Sequence, residues 1–104
     1  MNGCAQVEIG PSARADLLAG YEFYESQRVG LGEYFTDTLL SDLEGLLIHA
    51  GVHVQVQSSL YRALSNRFPY AIYYRLTDDV AQVLAVLDTR QNPKHILKKL
   101  HAAL

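Results

Sequence analysis

The sequence has no tryptophan, three prolines and a single cysteine, Cys4, in 104 residues. One cysteine cannot form an internal disulfide, which fits a reducing compartment. Long apolar runs are also missing, since Val83 to Leu87 is far shorter than the roughly 20 residues that a membrane-spanning helix needs. The N-terminus has no basic segment followed by an apolar one, the pattern of an export signal. We therefore expect a cytoplasmic protein with no membrane segment.

The composition is that of one globular domain. Hydrophobic residues make up 49% of the chain and charged residues 19%, which is too apolar for an intrinsically disordered protein. A length of 104 residues suffices for one core and is too short for two. Residues 1–104 are accordingly predicted to form a single domain, without repeats, linkers or low-complexity segments.

The small net charge of −2 conceals two halves of opposite sign. Residues 1–59 carry two arginines against eight carboxylates, a net charge of −6. Residues 60–104 carry seven lysines and arginines against three aspartates, a net charge of +4. The basic half is suited to phosphates or to an acidic partner, although a charged face that is simply solvated gives the same pattern.

The first half of the chain predicts a strand followed by a helical hairpin. Alternation from Cys4 to Ile9 predicts a short strand, which Gly10 and Pro11 end, and Ser12 is the expected N-cap of the first helix. This helix runs from Ala13 to about Gln27, and a second runs from Glu33 to about His49 after a glycine-containing loop. The expected apolar faces are Leu17, Leu18, Tyr21 and Tyr24 in the first helix and Phe35, Leu39, Leu43, Leu46 and Leu47 in the second, with Gly51 as C-terminal cap.

The second half predicts strands and a terminal helix. Three strands are expected at Tyr61 to Leu64, Tyr70 to Leu76 and Val80 to Asp88, after an ambiguous extended piece at Val52 to Gln57. The last two strands are joined by a tight turn at residues 77–79. Lys94 to Leu104 predicts a short helix with Ile96, Leu97 and Leu100 as its apolar positions. The resulting fold class is α+β, with a mainly antiparallel sheet covered on one face by the helical hairpin.

An ordered set of short motifs resembles the RelE/ParE superfamily of small bacterial toxins. The matching pieces span almost the whole chain: Ala15-Asp16-Leu17, Tyr24, Gly30-Leu31-Gly32-Glu33, Phe35, Tyr61-Arg62, the string RFPYAIYYR from Arg67 to Arg75, the apolar strand ending at Leu87, and Thr89 to Pro93. The resemblance implies a cytoplasmic toxin of a type II toxin–antitoxin system, with growth inhibition and plasmid stabilisation as its associated roles. It also implies neutralisation by a cognate antitoxin, usually encoded beside the toxin.

Membership of this superfamily does not fix the target. Members similar to RelE cleave mRNA on the ribosome without a metal, whereas members similar to ParE poison DNA gyrase and have no known catalytic centre. The third hypothesis is that the protein has this fold but has lost toxicity and serves only as an interaction module. We expect no cofactor and no metal site under any of the three.

The residues themselves favour the gyrase-directed reading. Cleavage by a ribose 2′-hydroxyl needs cations that stabilise the phosphorane and a group that transfers a proton. The candidates for these roles are Arg62, Arg67, Arg90 and His95. The several lysines that RelE-like enzymes place on the sheet are missing, glutamines stand at Gln55 and Gln57, and the pI is near 6.0. A metal-independent endoribonuclease therefore stays the alternative.

The candidate target-binding surface consists of four arginines in the basic half, Arg62, Arg67, Arg75 and Arg90. A structural role is the competing reading for Arg62 and Arg67, through ion pairs with Asp78, Asp79 or Asp88. His49 and His53 are four residues apart, but Gly51 lies between them and no carboxylate or cysteine accompanies them, which disfavours a metal site. The antitoxin is expected to add a helix or strand to the open sheet face or edge and to neutralise the arginines with acidic residues.

Overall fold

The computed structural model describes residues 2–57 and 59–104 and contains one five-stranded sheet with helices on both faces. The strands lie in the order β1-β5-β4-β3-β2, and β1 pairs parallel with β5 while the other pairs are antiparallel. The elements are β1 (Gln6–Ile9), α1 (Pro11–Gln27), α2 (Leu31–Glu44), α3 (Leu46–His49), β2 (Val54–Gln57), β3 (Leu60–Leu64), β4 (Tyr70–Thr77), β5 (Val80–Asp88) and α4 (Pro93–Ala103). The predicted α+β fold is confirmed. None of the described helices is long and apolar enough to cross a membrane.

The start of α1 differs from the sequence-based prediction. Gly10 is the N-cap in an extended conformation, and Pro11 occupies the first helical turn without any side-chain cap. Proline is well suited to this position because its fixed φ matches the helix and its missing N–H would have no helical partner. Ser12 therefore lies inside the first turn, and its predicted role as N-cap is wrong.

The turn between the first two helices is held by a single carboxylate. Glu25 accepts hydrogen bonds from the backbone N–H of Gly30 at 3.1 Å and of Gly32 at 3.0 Å. Gly30 has φ of +90°, in the left-handed region that favours glycine. The second helix begins at Leu31, and it does not continue to His49 as predicted, because the chain breaks at Gly45 into α2 and the single turn α3.

The hairpin packs on one sheet face and forms the larger of two apolar clusters. Most of the predicted core is buried: Leu17, Tyr24, Phe35, Leu39, Leu43 and Leu46. Three residues of the predicted apolar faces are exposed, Leu18 by 60%, Leu47 by 42% and Tyr21 by 37%. Besides Leu17 and Tyr24, the buried positions of α1 are the small residues Ala13 and Gly20, which let the helix approach its neighbours closely.

The other sheet face carries α4. Alternation along β4 is confirmed, because Tyr70, Ile72 and Tyr74 lie in the hairpin cluster whereas Ala71 and Tyr73 lie in the second cluster. The second cluster also contains Leu60, Ala85, Leu87 and Leu100, with Ile96 packed against it. The second face is thus partly covered by the chain itself rather than open, and Leu97, predicted as a core position, is 49% exposed.

Both sides of the sheet end in exposed backbone. At one side β2 is an edge strand whose four residues, Val54–Gln57, are all exposed. At the other side β1 pairs with β5 only as far as Val83. The backbone N–H of Val86 lies beyond that point and donates to the Asp16 carboxylate of α1 at 2.9 Å. This bond satisfies a strand N–H that has no neighbouring strand.

Candidate functional site

Two of the four candidate arginines lie on the sheet face that α4 covers. Arg62 on β3 is opposite Tyr73 on β4, and Arg75 on β4 is opposite Leu60 on β3. Tyr73 and Leu60 both belong to the cluster beneath α4, so the two guanidinium groups stand on the same face.

Neither arginine of this pair is neutralised by a carboxylate in the part of the chain that the structure describes. The salt bridge found there joins Arg90 and Asp88. The Nε of Arg75 is buried and makes no hydrogen bond. Guanidinium groups without a carboxylate partner keep their positive charge and have donors free for a ligand. This face is therefore the part of the candidate surface best suited to bind an acidic group.

Arg67 occupies a different environment, beside α2. Its Nη1 donates to the hydroxyl of Tyr34 at 3.0 Å. The shallow cleft around it also contains the carboxylates of Asp37 and Asp42. Asp42 accepts from Ser65 at 2.6 Å and from Asn66 at 2.8 Å, which holds the β3–β4 loop against the helix. A cation flanked by two carboxylates is a poor phosphate ligand.

Arg90 is tied to Asp88 by two parallel hydrogen bonds. Its Nε donates to Oδ1 at 3.0 Å and its Nη2 donates to Oδ2 at 2.7 Å. Hydrogen bonding from Arg90 lowers the pKa of the Asp88 carboxyl. Asp88 therefore forms an ion pair with Arg90. The structural interpretation had predicted such a pair for Arg62 or Arg67 instead.

Two tyrosines lie near this ion pair on the hairpin side. Burial raises the pKa of Tyr70 to about 12, and the charges of Tyr24 and Asp88 add to the effect. Burial also raises the pKa of Tyr24. Both hydroxyls therefore stay protonated at neutral pH, and neither is a ready proton acceptor.

His95 lies on α4, away from the arginines of the nuclease hypothesis. It is exposed and borders a depression with Lys94, Lys98 and Gln91. The depressions that contain Arg62, Arg67 and His95 are three different ones. The structure thus places Arg62, Arg67 and His95 in separate depressions.

His53 has a structural partner. Its Nδ1 is 2.6 Å from the hydroxyl of Tyr74, and that hydroxyl accepts from the backbone N–H of Gly51 at 2.9 Å. Burial, with a smaller effect of His49, lowers the pKa of His53, so the ring is neutral at pH 7 and its tautomer sets which of the two groups donates. Among the described residues, no three His, Cys, Asp or Glu side chains form a potential metal site.

Comparison with known proteins identifies the fold. No protein-family model and no curated protein matches the sequence. A solved structure described as the chromosomal ParDE TA system from P. aeruginosa contains a chain that superposes with a TM-score of 0.75. The match covers 84% of this chain and 98% of that chain, at 15% sequence identity.

This chain shares its fold with a component of a ParDE system. The fold that the RelE/ParE resemblance implied is thereby confirmed. The match spans nearly the whole length of the ParDE chain, so the likeness extends well beyond a local substructure.

The sequence analysis did not predict one surface feature, a groove beside α4. A groove of about 410 Å³ runs between α4 and the strands β2, β3 and β4. Its lining includes Val56, Arg62, Tyr73, Ile96, Leu97 and Leu100. The groove exists only because α4 packs on the second face, which no local pattern predicts. Two features of the sequence could have indicated such a groove. The helix α4 is amphipathic, and the edge strand β2 has the uncharged sequence VQVQ.

Proposed function

We propose that this protein is the toxin of a type II toxin–antitoxin system, that it inhibits growth by acting on DNA gyrase, and that a cognate antitoxin neutralises it. The observation that supports this most strongly is the shared fold with a ParDE chain over 98% of that chain's length. The RFPYAIYYR string supplies the central strand and the loop before it, so the motif and the fold point to the same class of protein.

The geometry of the candidate groups supports gyrase over RNA cleavage. A ribonuclease of this class needs cations and a proton-transferring group around one phosphate. Here Arg90 is engaged by Asp88, Arg67 stands among carboxylates, and His95 borders a separate depression. A surface that inhibits another protein by binding it has no such requirement.

We further propose that Arg62, Arg67, Arg75 and Arg90 contribute to target binding, with the largest effects at Arg62 and Arg75. These two guanidinium groups have no carboxylate partner among the described residues, whereas Arg67 and Arg90 already donate to Tyr34 and Asp88. The double variant Arg62→Ala and Arg75→Ala should be less toxic. At least a tenfold higher inducer concentration should be needed to stop growth. The double change at Arg67 and Arg90 should have a smaller effect.

The proposal is tested by controlled expression in a bacterium. Induction of the chain should stop growth, and co-expression of the short open reading frame beside its gene should restore growth. The control is the double variant Arg62→Ala and Arg75→Ala, provided that its circular dichroism spectrum matches that of the native chain. Normal growth on induction of folded, soluble protein would contradict a toxin function.

A further inference from the structure

We infer that the outer groove of the α1–α2 hairpin is a docking surface for the solvent-facing side of α4 in a second copy of this chain, so that copies associate head to tail. Two exposed apolar stripes with opposite charges beside them, one on each side of the sheet, support this inference. The contact uses no strand edge and none of the four candidate arginines. It does not depend on the proposed function.

The hairpin groove lies between α1 and α2 on the side away from the sheet. The Tyr21 side of α1 faces α2, because a Cβ on Gly32 would lie 2.7 Å from the backbone oxygen of Tyr21. Leu18, Tyr21 and Leu40 each follow a buried residue by one position, which places them about 100° around their helices from the core. All three are exposed, Leu40 by 43%. The two helices thus present an apolar stripe to solvent where they meet.

The surroundings of this groove are acidic. Helices α1 and α2 contain seven carboxylates and one cation, Arg14. Three of the carboxylates accept hydrogen bonds within the chain: Asp16, Glu25 and Asp42. The other four are exposed and take no part in the salt bridge found among the described residues: Glu22, Glu33, Asp37 and Glu44. The groove is therefore suited to an apolar ridge that carries positive charge.

The solvent-facing side of α4 has this character. Leu97 and Leu104 are exposed by 49% and 52%, and their spacing of seven residues places them on one stripe. Lys94 and Lys98 are exposed as well, and both neighbour Leu97 on the helix surface. The helix contains no carboxylate. Its outer side is thus complementary to the hairpin groove in both polarity and charge.

Charge favours this pairing over contacts between like surfaces. Two hairpins that met face to face would bring their exposed carboxylates together, and two α4 helices would bring their lysines together. The contact between a hairpin and α4 joins the two apolar stripes and places lysines beside carboxylates. The opposite net charges of residues 1–59 and 60–104 support the same arrangement.

The two surfaces lie on opposite faces of the sheet, the hairpin on one and α4 on the other. Two copies that share one such contact therefore leave a hairpin free at one end and an α4 free at the other. A contact of this heterologous kind repeats until it closes into a ring or continues as an open chain. We accordingly expect assemblies larger than a dimer.

Sedimentation velocity of the purified chain over a concentration series tests the association. The mean mass should rise with concentration beyond twice the 11.6 kDa of one chain. It should fall again as sodium chloride is added, because salt screens pairs of exposed charges. A mass of one chain at every concentration would overturn the inference, and so would an association that salt leaves unchanged.

A mixing experiment tests which surfaces meet. The hairpin variant is Leu18→Gln with Leu40→Gln, and the α4 variant is Leu97→Gln with Leu104→Gln. Glutamine keeps a helix propensity close to that of leucine, and circular dichroism checks that each variant is folded. Either variant alone should associate at least tenfold more weakly than the native chain. An equal mixture should form a heterodimer and nothing larger, because the hairpin variant supplies an intact α4 and the α4 variant an intact hairpin.

The matched control for both variants is Leu64→Gln with Val52→Gln, which changes two exposed apolar residues outside both surfaces and should assemble like the native chain. A mixture that forms no heterodimer would refute the head-to-tail contact. Native-like assembly of either variant alone would show that like surfaces meet instead. A chain that assembles as expected and yet does not stop growth would refute the toxin proposal and leave this contact in place.

Discussion

At the scale of single residues, Asp16 links the first helix to an interior strand. Its carboxylate accepts from the Val86 N–H at the point where β1 no longer pairs with β5. Asp16→Ala should lower the free energy of unfolding by about 1 kcal/mol, because it leaves this N–H without its protein acceptor. Asp16→Asn keeps an acceptor oxygen and should cost less than half as much. Urea denaturation measures both, and equal losses would show that the bond has no role.

The same residue gives a pH dependence with a defined sign. Burial raises the pKa of Asp16 above its ordinary value of 3.8, so folding favours the protonated form. This contribution to stability is full below pH 3.8 and is lost as the pH rises through the raised pKa. Asp16→Asn does not titrate, so its stability relative to the native chain should increase over that window. A constant difference between the two proteins from pH 3 to 7 would contradict the assignment.

Gly20 tests how closely the first helix packs. A Cβ at this position would lie 2.4 Å from the Phe35 ring, which is fully buried. Overpacking of this kind costs about 1–3 kcal/mol, more than the roughly 0.5–1 kcal/mol that alanine gains over glycine in a helix. Gly20→Ala should therefore be destabilising in the native chain and neutral or stabilising when Phe35 is leucine. A double-mutant cycle by urea unfolding measures the coupling, and simple additivity would exclude the clash.

At the scale of elements, the β4–β5 turn carries two aspartates in the left-handed region. Asp78 has φ of 49° and Asp79 has φ of 64°, the pattern of a type I′ hairpin turn, in which glycine is preferred at the second position. Asp79→Gly should raise the free energy of unfolding by about 0.5–1 kcal/mol, and Asp79→Val should lower it by at least as much. Thermal or chemical denaturation checks both signs. Loss of stability in the glycine variant would mean that the aspartate contributes more than its backbone conformation costs.

The elements also show how far sequence reasoning reaches. Strands β4 and β5 were predicted within one residue, because both are largely apolar runs, Pro69 precedes the first and Asp78 and Asp79 separate the two. The exposure of Leu18, Leu47 and Leu97 was not predictable, since each is an apolar residue on a plausible helix face. Which flank of such a face is buried depends on helix packing, and small residues such as Gly20 decide it.

The candidate site, like the helices, was predictable from the sequence only in part. The pattern of β3 and β4 places Arg62 and Arg75 on one face once the strand register is known. Arg67 donates to the Tyr34 hydroxyl and Arg90 pairs with Asp88, and neither partner was predicted from the sequence. The α4 groove depends on which sheet face the last helix covers, and the amphipathic pattern that predicts this helix does not settle that choice.

At the scale of the whole molecule, the acidic and basic halves fold together into one sheet. The hairpin of the acidic half covers one face of the sheet. The basic half supplies three of the five strands, β3, β4 and β5, together with α4 on the other face, where Arg62 and Arg75 also stand. The positive charge is thus presented on the face with the groove, where a partner or target can reach it. This arrangement and the shared ParDE fold are the physical basis of the proposed toxin function.

The supercoiling activity of purified DNA gyrase, measured against increasing concentrations of the folded chain, tests this account most directly. We predict loss of supercoiling at micromolar chain, and at least tenfold weaker inhibition by the double variant Arg62→Ala and Arg75→Ala. Full supercoiling at a large molar excess of native chain would contradict the account, and cleavage of mRNA on ribosomes by the same preparation would replace it with the ribonuclease alternative.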